Sequence, residues 1–288
     1  MGLSILSCVL YIVLAPVAGG LLQGFDRKIT ARLQGRKGPP LLQPFYDLYK
    51  LFSKEAVVVN NVQDFLVLGF LIFIVFTGAL FFFGGDILLV FFALTLAGIF
   101  FIMSSCSANS PYSSMGAQRE LMQMMAYEPM VLLCAIGFYV ATGSFAVSDI
   151  IKSDVSAIAY LPGIFAGFLY ILTIKFRKSP FDISTSHHAH QEMVRGLTTE
   201  LSGNILALVE LSHWYENVFL LGVVAIFVIN SSWWSIPAAL GVCIVSYFLE
   251  ILTDNIFPRV KWQTMLKSAW MVTLVAGVIN LMILVLIR

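Results

Sequence analysis

Apolar residues along this chain occur in long runs, and shorter polar stretches separate them. A helix needs about 20 mostly apolar residues to cross the hydrocarbon core of a bilayer. Because each run approaches that length and contains few charges, the pattern predicts an all-α integral membrane protein, organised as one domain over residues 1–288. The eight predicted transmembrane helices cover residues 3–22, 65–84, 87–105, 128–147, 158–174, 212–230, 234–252 and 267–287.

Positive charge is concentrated in the loops that follow the odd-numbered predicted helices. Fifteen of the 17 Lys and Arg residues lie in these loops, with Lys267 counted at the edge of loop seven, and only Lys152 and Arg288 lie elsewhere. Because loops rich in Lys and Arg stay in the cytoplasm, we expect loops one, three, five and seven inside and both termini outside. Loop one (23–64) and loop five (175–211) are longer than insertion requires, which favours a platform for a cytoplasmic partner over purely topogenic charge.

Composition agrees with a membrane location. Hydrophobic residues make up 59% of the chain and charged residues 11%, where a soluble domain carries roughly 25% charged residues. With a net charge of only +1, the chain fits neither a soluble monomer nor a disordered or nucleic-acid-binding protein. The first run has no basic segment or evident cleavage site, so we expect a transmembrane helix rather than a signal peptide. The four cysteines are isolated, so we expect no iron–sulfur or metal site in this chain.

Loop one contains an amphipathic pattern. Pro44 fits the first turn of a helix, and Gly38, Pro39 and Pro40 break the chain before it. We expect an amphipathic helix that lies in the membrane interface or caps a helix bundle; the alternative is that it only anchors the loop. Its predicted apolar face contains Leu41, Leu42, Phe45, Leu48, Tyr49 and Phe52.

Loop three ends in Glu128 followed by Pro129. Because the residue before a proline avoids the α-helical region, the sequence predicts a short helix and then a new helix that begins at Pro129. Glu128 would then occupy the N-cap of the new helix, where the helix dipole favours a carboxylate. The functional alternative is a buried acid that binds and releases a proton.

Loop five contains three of the four histidines, His187, His188 and His190, together with Asp182 and Glu192. Imidazole titrates near neutral pH, which favours a proton relay. A metal site is another interpretation because His187 and His190 would share a helix face, but no fourth ligand is obvious. Docking of a partner protein is the third interpretation.

Two acids, Glu210 and Glu250, lie inside apolar runs. Ionisable residues at membrane depth are costly and usually face a bundle interior or a wet cavity. These positions therefore favour a proton or ion route. A free-standing transporter would also need such a route, but a lone carrier has no need of long docking loops.

Motifs of charged residues, Gly and Pro follow one another through the cytoplasmic loops. The motifs are Asp26-Arg27-Lys28, Gly35-Arg36-Lys37-Gly38-Pro39, Leu42-Gln43-Pro44, Gly116-Ala117, Arg119-Glu120, Tyr127-Glu128, Pro180-Phe181-Asp182, Thr199-Glu200 and Phe257-Pro258-Arg259. With these motifs the chain resembles the H-subunit family of respiratory complex I, in which matching motifs occur in the same order along nearly the whole chain.

The chain differs from complex I members in two motifs, and these differences indicate a particular branch of the family. After Gly38-Pro39 the chain lacks the Asn-Arg-Val-Gly-Pro of complex I members, and after Asp182 the histidine-containing stretch replaces their acid-rich one. In both respects the chain is similar to the membrane subunit of energy-converting NiFe hydrogenases of the Ech type. The alternative is the quinone-site subunit of a complex I-type NADH dehydrogenase.

This resemblance implies a membrane-anchoring, ion-coupling subunit of a ferredoxin-dependent, H₂-evolving hydrogenase in the cytoplasmic (inner) membrane of a prokaryote. The chain would have no catalytic centre or cofactor of its own. The NiFe centre and iron–sulfur clusters would belong to partners: large and small subunits of the hydrogenase, a ferredoxin-like iron–sulfur subunit and an antiporter-like membrane subunit.

The resemblance and the buried acids together assign two sets of candidate residues. The first set would form the proton or ion path: Glu128, Asp182, Glu200, Glu210 and Glu250. The second set would dock partners or relay protons: Arg27, Arg36, Lys37, Arg119, Glu120, His187, His188, His190 and Glu192.

Overall fold

The structure is a computed structural model that describes residues 2–55, 60–185 and 195–287. Every regular element in these residues is helical, which confirms the all-α prediction. One isolated backbone bridge pairs Asp86 with Ala146. The helices are α1 (Gly2–Leu33), α2 (Gln43–Phe52), α3 (Asn61–Phe83), α4 (Ile87–Cys106), α5 (Pro111–Thr142), α6 (Val147–Ile151), α7 (Ala157–Tyr160), α8 (Pro162–Lys175), α9 (Gly203–Val228), α10 (Ser235–Ile256), α11 (Trp262–Val272) and α12 (Ile279–Ile287), with a 3₁₀ turn at Gly196–Thr198 and a π-helical segment at Thr273–Val278.

Seven helical segments of the described chain are long and apolar enough to cross a membrane. They match every predicted span except the fifth, and α11, the π segment and α12 together form the last one. The fifth prediction, 158–174, corresponds to α7 and α8, which Leu161 separates. With 14 residues, α8 is about 21 Å long, less than the roughly 30 Å of a hydrocarbon core. The eighth crossing and the outward termini therefore stay predictions.

Several helices extend beyond the predicted apolar spans. Helix α1 continues to Leu33, so Arg27 lies on a helix rather than in a loop. It stops where Gly35 adopts a positive φ of 71° and the Arg36 N–H donates to the Ala31 carbonyl oxygen at 2.7 Å. Charged residues with long side chains are good helix formers, so an apolar run marks the membrane-embedded part of a helix and not its ends.

The prediction of a new helix at Pro129 is wrong, because α5 runs without interruption from Pro111 to Thr142. Glu128 is therefore an interior helix residue and not an N-cap. Proline removes one backbone hydrogen bond from a helix, but transmembrane helices tolerate it where packing compensates. Tyr127, Met130 and Cys134 are all buried around the proline, and their packing keeps α5 continuous.

The described chain forms two compact units. Unit 1 comprises Met1–Ala79, Ala93–Leu121 and Asp182–Val218, and unit 2 comprises Leu80–Phe92, Met122–Phe181 and Phe219–Arg288. In unit 1, the Phe70 and Phe101 rings stack with their centroids 4.8 Å apart. In unit 2, Phe227 packs against Phe138 with ring centroids 4.7 Å apart. Each unit thus has its own aromatic core, and one domain over residues 1–288 stays a prediction.

Candidate functional site

Two glycines of α1 allow the amphipathic helix α2 to pack directly against α1 in unit 1. A Cβ atom on Gly20 would lie 2.5 Å from the Phe45 ring, and a Cβ atom on Gly24 would overlap the Leu41 carbonyl oxygen. Pro44 occupies the first turn of α2. The predicted helix is confirmed, although its apolar face is divided: Phe45 packs inward, whereas 74% of Tyr49 is exposed.

Trp214 of α9 completes this junction from the other side. Its indole Nε1–H donates a hydrogen bond of 2.7 Å to the Gln23 side-chain oxygen. Its ring meets the Phe45 ring edge-on at a centroid distance of 5.2 Å, and only 2% of the residue is exposed. A buried Trp contributes a large apolar contact, and its N–H needs a hydrogen-bond partner. Trp214 of α9 therefore contacts both α1 and α2, and the three helices pack together.

A cavity of about 330 Å³, which we call the α1–α2–α9 pocket, opens between these helices. Half of its lining residues carry a charge, which is unusual for a ligand cavity, since most are lined predominantly by apolar side chains. The lining consists of Gln23, Arg27, Pro44, Asp47, Leu48, Lys50, Leu51, Lys54, Arg195, Leu206, Glu210 and Trp214. The predicted residues Arg27 and Glu210 therefore share one cavity.

Asp47 organises the charges at one edge of the pocket. Arg27 Nη1 donates to Asp47 Oδ2 at 2.6 Å, and Gln43 Nε2 donates to Asp47 Oδ1 at 2.9 Å. Partial burial raises the pKa of Asp47, but the hydrogen bonds from Arg27 and Gln43 outweigh that effect and hold the pKa below its usual value of 3.8. The carboxylate is therefore ionised at neutral pH and neutralises Arg27.

Arg119 and Glu120 meet the chain that follows Asp182, also within unit 1. The Ser184 hydroxyl donates to Glu120 Oε2 at 2.5 Å, and Arg119 Nη1 donates to the Ile183 carbonyl oxygen at 3.4 Å. Glu120 is 9% exposed, and Asp182 is buried as well. Arg119 and Glu120 thus attach the residues after Asp182 to α5 through hydrogen bonds.

The remaining acids of unit 1 differ in their surroundings. Glu200 lies exposed in a turn before α9, whereas Glu210 is partly buried on α9. Nearly two turns further along α9, buried Glu216 lies 3.4 Å from His213 Nδ1. Glu216 and His213 are thus paired on α9, whereas Glu200 is exposed to solvent.

Glu250 of α10 lies in a charged cluster of unit 2. It is 5% exposed, and Lys178 and Asp254 lie close enough to interact with it electrostatically, while Thr173 hydrogen-bonds it. Lys178 is 7% exposed, and its Nζ lies 5.0 Å from the centre of the Tyr247 ring. The backbone N–H of Ser179 donates to Asp254 Oδ1 at 2.9 Å.

Glu128 is partly buried on α5 in unit 2. Its neighbour Tyr127 receives the Lys175 ammonium over its ring, with 4.3 Å between Nζ and the ring centre. The end of α8 therefore brings a positive charge next to this part of α5.

The structure separates the other predicted docking residues from these clusters. Arg36 and Lys37 are exposed after the end of α1, and Arg36 donates to the Gln34 side chain. The roles of all predicted site residues stay predictions. His187, His188, His190 and Glu192 lie outside the described residues.

Sequence reasoning overlooked Lys178 and Asp254 as partners of Glu250. One signal was available, because Glu250 and Asp254 are four residues apart and share a face of α10. Lys178 gave no such signal, since it lies 72 positions before Glu250 and only tertiary packing brings the two together. In the described part of the chain, no three His, Cys, Asp or Glu side chains are grouped to hold a metal ion.

The sequence is similar to a protein family and to two subunits of membrane oxidoreductases. A family model described as NADH dehydrogenase matches residues 5–285. The H subunit of NADH-quinone oxidoreductase from Carboxydothermus hydrogenoformans is 30% identical over 90% of this chain and 81% of that protein. Hydrogenase-4 component C of Escherichia coli is also 30% identical, over 65% of this chain and 64% of that protein.

One solved structure has the same fold. A chain of the membrane-bound sulfane sulfur reductase, described as an archaeal respiratory membrane complex, superposes with a TM-score of 0.83. The match covers 97% of this chain and 100% of the other, at 23% sequence identity. At that identity, the match concerns the fold alone.

Proposed function

This chain belongs to the NADH dehydrogenase family that includes the H subunit of complex I, and we propose that it serves an Ech-type energy-converting NiFe hydrogenase. In that complex the chain anchors the cytoplasmic enzyme to the membrane and couples its redox reaction to H⁺ or Na⁺ translocation. Reduced ferredoxin supplies the electrons, and H₂ is the product. The relatives are subunits of membrane oxidoreductase complexes, which supports a role as one subunit among several.

The likeness to hydrogenase-4 component C is the observation that carries the hydrogenase assignment. The proposed partners are large and small subunits of the hydrogenase, a ferredoxin-like iron–sulfur subunit and an antiporter-like membrane subunit. The NiFe centre and iron–sulfur clusters are assigned to these partners, because the four cysteines of this chain are isolated in the sequence. The complex is expected in a prokaryotic cytoplasmic membrane.

Charged residues buried in each unit support the coupling role. In unit 1, Glu120 is held by Ser184 and Glu216 lies beside His213. In unit 2, Glu250 lies near Lys178. Ionisable groups in a membrane protein are costly unless they are paired or functional. A change of charge in a docked partner can shift the proton occupancy of such groups, which is the elementary step of coupling.

A quinone-reducing complex I-type dehydrogenase is the second candidate, and the NADH-quinone oxidoreductase relative supports it. Under this alternative, the chain would contribute to a quinone site. The two candidates differ in the electron acceptor, protons or quinone, and this difference makes them separable by experiment.

The test is purification of the intact complex through a tag on this chain. We expect nickel and iron in the purified complex, H₂ evolution with reduced ferredoxin, and ion uptake into vesicles during H₂ evolution. Metal analysis and gas chromatography measure the first two, and a pH- or Na⁺-sensitive dye measures the third. A complex that reduces quinone with NADH and evolves no H₂ would refute the hydrogenase assignment and support the second candidate.

A further inference from the structure

Positive charge prevails in the α1–α2–α9 pocket. Four of its lining residues are cationic and two are anionic, so the lining carries two excess positive charges. Asp47 neutralises Arg27 at one edge through the 2.6 Å ion pair. This leaves Lys50, Lys54 and Arg195 around the single remaining carboxylate of Glu210. A pocket with this balance is suited to an anionic ligand.

The helix that forms one wall of the pocket has the character of a membrane-surface helix. On α2, Tyr46, Tyr49 and Phe52 are exposed. Aromatic side chains concentrate at the level of lipid headgroups, where an apolar ring and a polar environment meet. Lys50 on α2 and Lys54, two residues after its end, place their charges at that level, where phospholipid phosphates lie.

An apolar surface adjoins the pocket on its other wall. Val13 and Val17 of α1 are exposed and apolar, and Gln23 and Arg27 line the pocket about two to four turns further along the same helix. A ligand with a charged head in the pocket can therefore lay hydrocarbon chains along α1.

We propose that the α1–α2–α9 pocket binds the phosphate headgroup of an anionic phospholipid, with Lys50, Lys54 and Arg195 as the headgroup ligands. Basic pockets between membrane helices on the cytoplasmic side are suited to such headgroups. Phosphatidylglycerol offers the required net negative charge, whereas the quaternary ammonium of phosphatidylcholine would place a further cation among the lysines. This site does not depend on which redox reaction the complex performs.

The experiment is a titration of the full-length chain in detergent with phosphatidylglycerol, followed by native mass spectrometry. Each Lys near a lipid phosphate contributes about fivefold to affinity. We therefore expect the double variant Lys50→Gln/Lys54→Gln to bind phosphatidylglycerol about 25-fold more weakly. The matched control is Lys261→Gln/Lys267→Gln, which removes two exposed lysines outside the pocket and should change the affinity less than twofold. A circular dichroism melt checks that both variants remain folded.

Two further arms distinguish the source of the phosphate. Phosphatidylcholine should bind at least tenfold more weakly than phosphatidylglycerol, and millimolar inorganic phosphate should not displace the bound lipid. Equal affinity for the two lipids, or an equal loss in the control variant, would refute the site. Displacement by inorganic phosphate would also refute it, because the ligand would then be a free anion. If Lys50→Gln/Lys54→Gln unfolds, Arg195→Gln alone should still weaken binding about fivefold, and unchanged binding in that variant contradicts the proposal.

Discussion

Replacing Lys178 with Met removes the positive charge near Glu250 and keeps a side chain of similar length. Both residues are more than nine-tenths buried, at 7% and 5% exposure. The Lys178→Met variant therefore leaves the Glu250 carboxylate in an apolar setting, with Asp254 as a repulsive neighbour and the Thr173 hydrogen bond as remaining support.

The expected cost follows from these contacts. Lys178 interacts electrostatically with Glu250 without a hydrogen bond between them, and removing one polar partner of a buried group costs about 1–3 kcal/mol. Loss of the ammonium over the Tyr247 ring adds roughly 0.5–2 kcal/mol. For domains of 150–250 residues, a loss of 1 kcal/mol lowers the melting temperature by about 2–4 °C. We therefore expect Lys178→Met to lower the melting temperature of the full chain by at least about 3 °C.

The assay is thermal unfolding of the purified chain in detergent, in a double-mutant cycle with Glu250→Gln. The double variant removes both charges, so it should be more stable than the sum of the single losses by about 1–3 kcal/mol. Lys152→Met is the matched control, because Lys152 is exposed in the same unit, and it should melt within about 1 °C of the parent chain. Additive losses in the cycle, or an unchanged melting temperature for Lys178→Met, would show that the two charges do not interact.

Three other predictions concern the remaining clusters. In unit 1, Gly24→Ala should lower the free energy of unfolding by about 1–3 kcal/mol, because the added Cβ would overlap the Leu41 carbonyl oxygen. Gly241→Ala is the control: the space around Gly241 is open, so the better helix former should raise that free energy by about 0.5–1 kcal/mol. Thermal melts measure both changes. Glu128→Gln should preserve assembly and redox activity while ion uptake into vesicles falls; undiminished uptake would make this acid a structural residue. The folded-state pKa of Asp47 is lowered, so its contribution to stability is complete above its unfolded value of about 3.8 and disappears as the pH falls through the lower folded value. Because 40% of this side chain is exposed, Asp47→Asn should cost less than about 1 kcal/mol at pH 7 and nothing near pH 2, as a pH series of melts would show.

The apolar runs predicted helix positions well, because lipid offers no hydrogen-bond partners to the polar groups of the backbone. Every backbone N–H and C=O in the hydrocarbon region must pair within its own helix, so a long apolar run without charges has no alternative to a helix. This explains why the spans near Ile87–Cys106 and Ser235–Ile256 agree with the structure within a few residues. The apolar run over α7 and α8 does not form one continuous helix. It is interrupted at Leu161, and α8 begins at Pro162.

Helix ends and the course of α5 were harder to predict. A local preference, the bias of Glu128 away from the helical region, predicted a break at Pro129. Burial of Tyr127 and Met130 outweighs that preference in the structure. The preference acts at one residue, whereas packing acts on every residue of the surrounding turns.

The sequence alone determined that most of this protein's surface faces lipid, and it predicted the number of long helices to within one. It also determined the amphipathic character of α2 and which acidic residues lie inside apolar runs. These properties depend on periodicity and charge, which neighbouring residues report. Only the tertiary structure decided that Arg27 pairs with Asp47, that Ser184 holds Glu120 and that Lys178 lies near Glu250. These contacts join residues 20, 64 and 72 positions apart. Their free energy depends on which helices pack together, and no local pattern in the chain reports that packing.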